Sequence, residues 1–169
     1  MNTWREAVGI SDTISKSYHK LQGRYFFSGL PISIENKRGS IRRGTDPDGN
    51  KWKTHMKNDY GYIRSTLGVD GDEVDCFIGP DKVARNAYVI RANTPNSSGS
   101  TWKYDEDKIM LGFSTKEKAR KAFLSHYNKK EFLGRIDTYS MEAFRSKVFD
   151  KKNRGKMVKS FVSISERII

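Results

Sequence analysis

Three aspartates fall within six residues in Asp70-Gly71-Asp72-Glu73-Val74-Asp75. In an extended segment, residues two apart share a face, and a turn can bring a third round to meet them. Hard divalent cations such as Mg²⁺ take oxygen ligands and keep several waters. Three convergent carboxylates would offset their mutual repulsion on one or two such ions. They would also hold a metal-bound water of lowered pKa beside a spare carboxylate base. The same residue types make an ordinary solvated acidic turn. A calcium loop competes less well, because the glutamate of an EF-hand's twelfth position is missing.

A second acidic group, Asp105-Glu106-Asp107, stands immediately before Lys108, and a lone acid, Glu35, ends an alternating run. Basic residues surround these acids in the sequence: Arg38, Arg42, Arg43, Lys51, Lys53, Arg64 and Lys108. Arginine binds phosphate through two parallel hydrogen bonds, and lysine supplies a point charge. The hydroxyls of Tyr60 and Tyr127 can donate to phosphate oxygens. Acids for a metal and bases for phosphate are what a phosphoryl-transfer site needs. Taken singly, each residue is equally at home as a surface charge or a core aromatic.

The elements that must position these groups change character along the chain. Ile14, Tyr18 and Leu21 have helical spacing after a cap at Ser11 or Asp12. From Ile32 to Phe113 the pattern is one of short strands: Ile32–Glu35, Ser40–Arg43, Lys51–His55, Tyr60–Ile63, Val74–Ile78, Ala87–Ala92 and Ile109–Phe113. Asp46-Pro47-Asp48-Gly49-Asn50 is a hairpin turn, and Pro95–Ser100 reads as a polar loop. Ser114 or Thr115 then caps a helix containing Ala119, Ala122, Phe123 and Tyr127, and Ser140 starts a second, shorter one. Met157–Ile164 reads as a last strand or an extended tail. Closely spaced short strands followed by helices predict an α+β, mainly β fold built on a small barrel. The expected organisation is a helical extension at 1–30, a barrel domain with helices at 31–150 and a basic extension at 151–169.

A chain of 169 residues suits one domain, and its Trp 3, Tyr 8 and Phe 9 can fill a core despite 31% charged residues. No apolar run approaches a membrane span, and no apolar signal core is visible near Met1. A single Cys76 excludes an internal disulfide and a cysteine zinc site, and the three histidines form no ligand pattern. The expected location is the cytoplasm. The net charge of +12 is concentrated in residues 116–160, which carry 14 basic and 5 acidic residues. Such a surface attracts anions, nucleic acid or phosphates among them.

The parts are linked by Asp59-Tyr60-Gly61-Tyr62-Ile63-Arg64-Ser65-Thr66-Leu67-Gly68-Val69-Asp70-Gly71-Asp72-Glu73-Val74-Asp75. This stretch resembles the family I soluble inorganic pyrophosphatases, in which a Tyr-Gly-Tyr/Phe-Ile strand precedes Asp-Gly-Asp-Pro-hydrophobic-Asp at this interval. Glu73 stands in place of the proline. The wider pattern, from about Ile32 to Tyr127, looks most like compact pyrophosphatase-like domains of bacteriophages and mobile elements. In a phage setting the location would be the host cytoplasm.

The resemblance implies an OB-like five-stranded β-barrel with flanking α-helices, and hydrolysis of pyrophosphate to two phosphates with several Mg²⁺ ions. It implies that Asp70, Asp75, Glu106, Asp105 and Glu35 bind metal. Asp72 would be the general base, with Tyr60 beside the nucleophile. Arg42, Lys53, Lys108, Tyr127 and Lys129 would contact phosphate. The family's Tyr-Lys pair appears here as Tyr127-Asn128, with Lys129 one place later.

A different function class stays open: an OB-like, basic nucleic-acid-binding accessory protein of a phage, with reduced or no hydrolase activity. It would stack bases on Tyr60, Tyr62 and Trp52 and use the basic C-terminal region. The retained acid cluster opposes it, because carboxylates repel a polyanion unless metals are bound. No membrane partner is expected, and a homo-oligomer is compatible with the sequence.

Overall fold

The computed structural model describes residues 21–150. The strands are β1 (Gly23–Phe27), β2 (Leu30–Asn36), β3 (Ile41–Thr45), β4 (Lys51–His55), β5 (Asp59–Ile63), β6 (Val74–Ile78), β7 (Asn86–Pro95), β8 (Trp102–Leu111) and β9 (Leu133–Ser140). Two helices, α1 (Lys116–Leu124) and α2 (Met141–Val148), and a 3₁₀ turn at Lys130–Phe132 complete it. Seven strands form one mixed sheet in the order β1-β2-β5-β6-β8-β7-β9, and β3 and β4 form a separate two-stranded sheet. Every pairing is antiparallel except that of β6 with β8.

The fold is therefore mainly β with helices, as expected, but the five-stranded barrel is not what the chain builds. The sheet does not close, and β1 and β9 stand at its two edges. Two strands without a clear alternating signature account for the difference. Gly23–Phe27, inside the segment read as an extension, pairs along its length with β2. Leu133–Ser140, with no long apolar run, pairs with β7. The predicted helix around Ile14 and Tyr18 and the predicted strand at Met157–Ile164 lie outside the described residues.

The sheet is covered on both faces, and the period of two divides its side chains cleanly. Along β8, Ile109 and Leu111 join the layer of Ile32, Ile34, Ile63, Val74 and Val89 that packs on Phe144 and Val148 of α2. Met110 points the other way, to Tyr60, Phe77, Tyr88 and Ile90 beneath Ala119 and Phe123 of α1. Both helices start on side-chain caps. Thr115 Oγ1 accepts from the Lys118 N–H at 3.1 Å, and Ser140 Oγ accepts from the Ala143 N–H at 3.1 Å.

The glycine between Tyr60 and Tyr62 is dictated by packing. A Cβ on Gly61 would stand 1.8 Å from the backbone oxygen of Ser33 on the neighbouring strand. Gly61→Ala must push β2 and β5 apart, so it is expected to destabilise the fold by about 1–3 kcal/mol or more. An unchanged urea midpoint would contradict this.

Candidate functional site

Three adjacent central strands meet at one group of polar side chains on the α1 face. β5 carries Tyr60, β6 carries Asp75, and β8 carries Lys108 directly across from Asp75 in parallel register. The Tyr60 hydroxyl donates to Asp75 Oδ2 at 2.7 Å, and Lys108 Nζ donates to the Tyr60 oxygen at 2.8 Å. Lys108 Nζ also bridges to Asp75 Oδ2 at 3.2 Å and to Glu106 Oε1. Burial and the Asp75 carboxylate hold the Tyr60 phenol far above its ordinary pKa, so it keeps its proton. Burial works against the Lys108 charge, but Tyr60 and Asp75 outweigh it, and its pKa rises well above that of an ordinary lysine.

Arg42 closes the cluster from the β3–β4 hairpin. Its guanidinium lies 4.4 Å from the Tyr60 ring centroid and 5.1 Å from that of Trp52. Trp52 sits opposite Gly44 across the hairpin, where a Cβ would be 2.1 Å from its ring. The missing side chain at 44 is what lets the indole lie flat against the hairpin. Despite burial, Tyr60, Tyr127, Asp75 and Glu35 raise the Arg42 pKa further, which places Glu35 in its electrostatic surroundings. Tyr127 stacks on Phe123 with ring centroids 4.5 Å apart, and Lys108 and Arg42 face its buried phenol. It lies in the turn after α1, which ends at Leu124, and not on the helix itself.

The β5–β6 loop carries the remaining aspartates. Thr66 pins it from inside: its hydroxyl donates to the Ile63 carbonyl at 2.5 Å and accepts from the Val74 N–H at 3.0 Å. The Gly68 N–H donates to the Asp72 carbonyl at 2.6 Å, Gly71 adopts φ +89°, and the Asp72 N–H donates to Asp70 Oδ1 at 3.0 Å. Asp70 thus faces Glu106 across the gap. Partial burial and the Glu106 carboxyl raise its pKa to about 6. Burial and Glu106 also raise Asp105, the extra residue of a β-bulge between β7 and β8. The second acidic group is thus part of a strand, not a turn ahead of one.

Asp107, its third member, points to the opposite face. There Arg91 holds it at 2.9 Å and the Tyr104 hydroxyl at 2.8 Å, while Arg91 also reaches Asp137 at 3.4 Å. Burial dominates and raises the Asp107 pKa to about 7.

The structure does not gather every residue expected at the site. Lys53 pairs with Arg43, on the hairpin face opposite to Arg42, and is exposed. Lys129 is exposed at the start of the 3₁₀ turn. Thr66 and the Arg42-supporting role of Trp52 escaped the sequence reading; Gly44 opposite Trp52 was the available signal. The stacking face required for nucleic acid is also reduced, because Tyr60 and Tyr62 are buried. The basic segment 151–169 lies outside the described residues.

Among the described residues, no three His, Cys, Asp or Glu side chains are already drawn together as a metal cage. The donor set nevertheless fits Mg²⁺. It consists of hard carboxylate oxygens, and this ion is held by one or two carboxylates with waters and substrate phosphates completing the shell. One further carboxylate oxygen in the group, Glu73 Oε1, is buried without a hydrogen-bond partner.

The crowding of Asp70 has a consequence for stability without metal. An unfolded aspartate ionises near 3.8, whereas the folded Asp70 holds its proton to about 6. The resulting contribution is complete below pH 3.8 and is lost as the pH rises to about 6. In EDTA, the urea midpoint of the wild type should fall more between those pH values than that of Asp70→Asn. Parallel profiles would refute the assignment.

A pinned acidic loop, a buried Tyr-Asp-Lys network and an arginine above it form a site for a metal-assisted reaction of a phosphate compound. The family model of inorganic pyrophosphatase matches residues 12–149, and the chain belongs to that family. No curated protein and no solved structure matches the chain. Among the described residues, no helix is long and apolar enough to cross a membrane.

Proposed function

We propose that the protein hydrolyses inorganic pyrophosphate to two phosphates with the help of Mg²⁺. The observation that carries this reading is the Tyr60–Asp75–Lys108–Glu106 network under Arg42, adjoining the loop of Asp70 and Asp72. It sets acids for a cation beside bases for a polyphosphate, and family membership supports the same assignment.

Asp70, Asp75 and Glu106 would hold Mg²⁺, with Asp105 and Glu35 at the margins. When bound, the ions supply a water of lowered pKa and neutralise charge on the phosphoryl oxygens. Asp72 takes a proton from the attacking water. Tyr60 fixes the Asp75 carboxylate by donating to it. Lys108, Arg42 and Tyr127 present positive charge and a hydroxyl to the phosphoryl oxygens, and Arg42 is kept in place between two aromatic rings. Lys53 and Lys129, exposed and without a seat in the network, are left to steering of the anion.

The test is phosphate release from pyrophosphate by the full chain with Mg²⁺, beside ATP as a competing substrate. Release from pyrophosphate, abolished by EDTA, is the expected result. A folded protein that releases none would overturn the reading.

A further inference from the structure

The loop bearing Asp70 closes over a small cavity of about 10 Å³, lined by Asp70, Glu73, Asp75, Glu106, Asp107 and neighbouring backbone. That is room for a single water-sized occupant. Most of the acidic lining is matched. Asp75 has Tyr60 and Lys108, Glu106 has Lys108, Asp107 has Arg91 and Tyr104, and Asp70 accepts a backbone N–H. Glu73 is the exception. Its Oε1 exposes less than 1 Å² and, among the described residues, has no hydrogen-bond partner.

A carboxylate oxygen shut away from water is unfavourable unless something matches its charge. The cations that serve this lining, Lys108 and Arg91, are already engaged with other acids. The remaining neighbours are themselves acids, so a second side chain cannot be the missing partner. A small, hard cation fits both the volume and the oxygen donors.

We propose that Glu73 is an additional ligand for a divalent cation in this cavity, one that the chain gains by having glutamate where the resembling pattern has proline. The proposal rests on the reading that the protein works with such cations, and it adds to that reading a ligand from outside the aspartate set. Glu73 would hold the ion from the start of β6, facing Glu106 across the parallel β6–β8 pair.

The experiment is Mn²⁺ binding to the full chain without substrate, followed by electron paramagnetic resonance of the free ion. Wild type, Glu73→Gln and Glu73→Asp are compared, with urea midpoints in EDTA measured alongside. Glu73→Gln should weaken the tightest site by about 10- to 100-fold, the scale on which disturbing a metal's surroundings acts. Glu73→Asp should fall between the two. The Glu73→Gln midpoint in EDTA should equal or exceed the wild type's, because an unmatched charge is gone.

Equal Mn²⁺ affinity in wild type and Glu73→Gln overturns the proposal. So does a lowered midpoint with unchanged affinity, which makes Glu73 a structural residue. If the glutamine variant does not fold, the wild type labelled with ¹³C at its glutamate carboxyls decides. Mn²⁺ should broaden the Glu73 signal at substoichiometric amounts, and a sharp signal at saturation overturns the idea. A wild type that binds no Mn²⁺ and releases no phosphate removes the underlying reading as well. Intact release and binding with an indifferent Glu73 removes this inference alone.

Discussion

Asp72→Asn is expected to lower phosphate release from pyrophosphate by about 10²- to 10⁴-fold, the usual worth of a positioned general base. The substitution keeps the size of the side chain and removes its ability to take a proton. The loop should survive it. The Asp72 contacts that shape the turn are made by its backbone: its N–H donates to Asp70 Oδ1 and its carbonyl accepts from Gly68. Stability and Mn²⁺ binding should therefore stay close to wild type while turnover collapses. A variant that keeps more than a tenth of the activity would take the general-base role away from Asp72. The role would then pass to Asp70, whose raised pKa makes it the other proton acceptor near the loop.

The second large effect is on the fold itself. Lys108→Met leaves Asp75 and Glu106 without the ammonium between them, and removes the donor to the Tyr60 oxygen. The Lys108 side chain is 7% exposed, so solvent cannot replace it. Losing one partner of a buried ion pair costs about 3–5 kcal/mol, because the other charge stays buried and unmatched. The loss should shrink as the pH is lowered and the carboxyls take up protons. It should shrink in Mg²⁺ as well, since a cation then stands where the ammonium stood. Urea unfolding at pH 5 and 7.5, with and without Mg²⁺, reads all of this. A pH-independent loss would mean that packing, not charge, is what Lys108 supplies.

Much of the site was legible because its residues lie close together in the chain. Tyr60, Asp70, Asp72 and Asp75 occupy one strand-loop-strand unit whose spacing is visible in the sequence, and β4 and β6 fall where the alternation puts them. The caps at Thr115 and Ser140 were equally plain, since their side-chain chemistry is local. What escaped depends on the far side of a pairing. Lys53 has the right charge, but its register opposite Arg43 turns it away from Arg42. Asp105, Glu106 and Asp107 look alike in sequence, yet a bulge and the strand period send one to the margin, one to Lys108 and one to Arg91. The edge strands β1 and β9 carry mixed polar and apolar residues, and only the finished sheet recruits them. That is why a barrel was expected and an open sheet is found.

The parallel pairing of β6 with β8 also sets the order in which the protein can be made. Asp75 and Lys108 are 33 residues apart, whereas β7 and β8 are joined by a short turn and pair with each other locally. Closing a long loop must precede any reward from the contact that it brings, so pairings of this kind form late and slowly. The β7–β8 hairpin and the β5–β6 unit can each take shape before they meet. Their docking then completes the catalytic group and the centre of the sheet in one event. A refolding chain passes from inactive to active at the step that commits it to the native state, with no earlier species able to handle substrate.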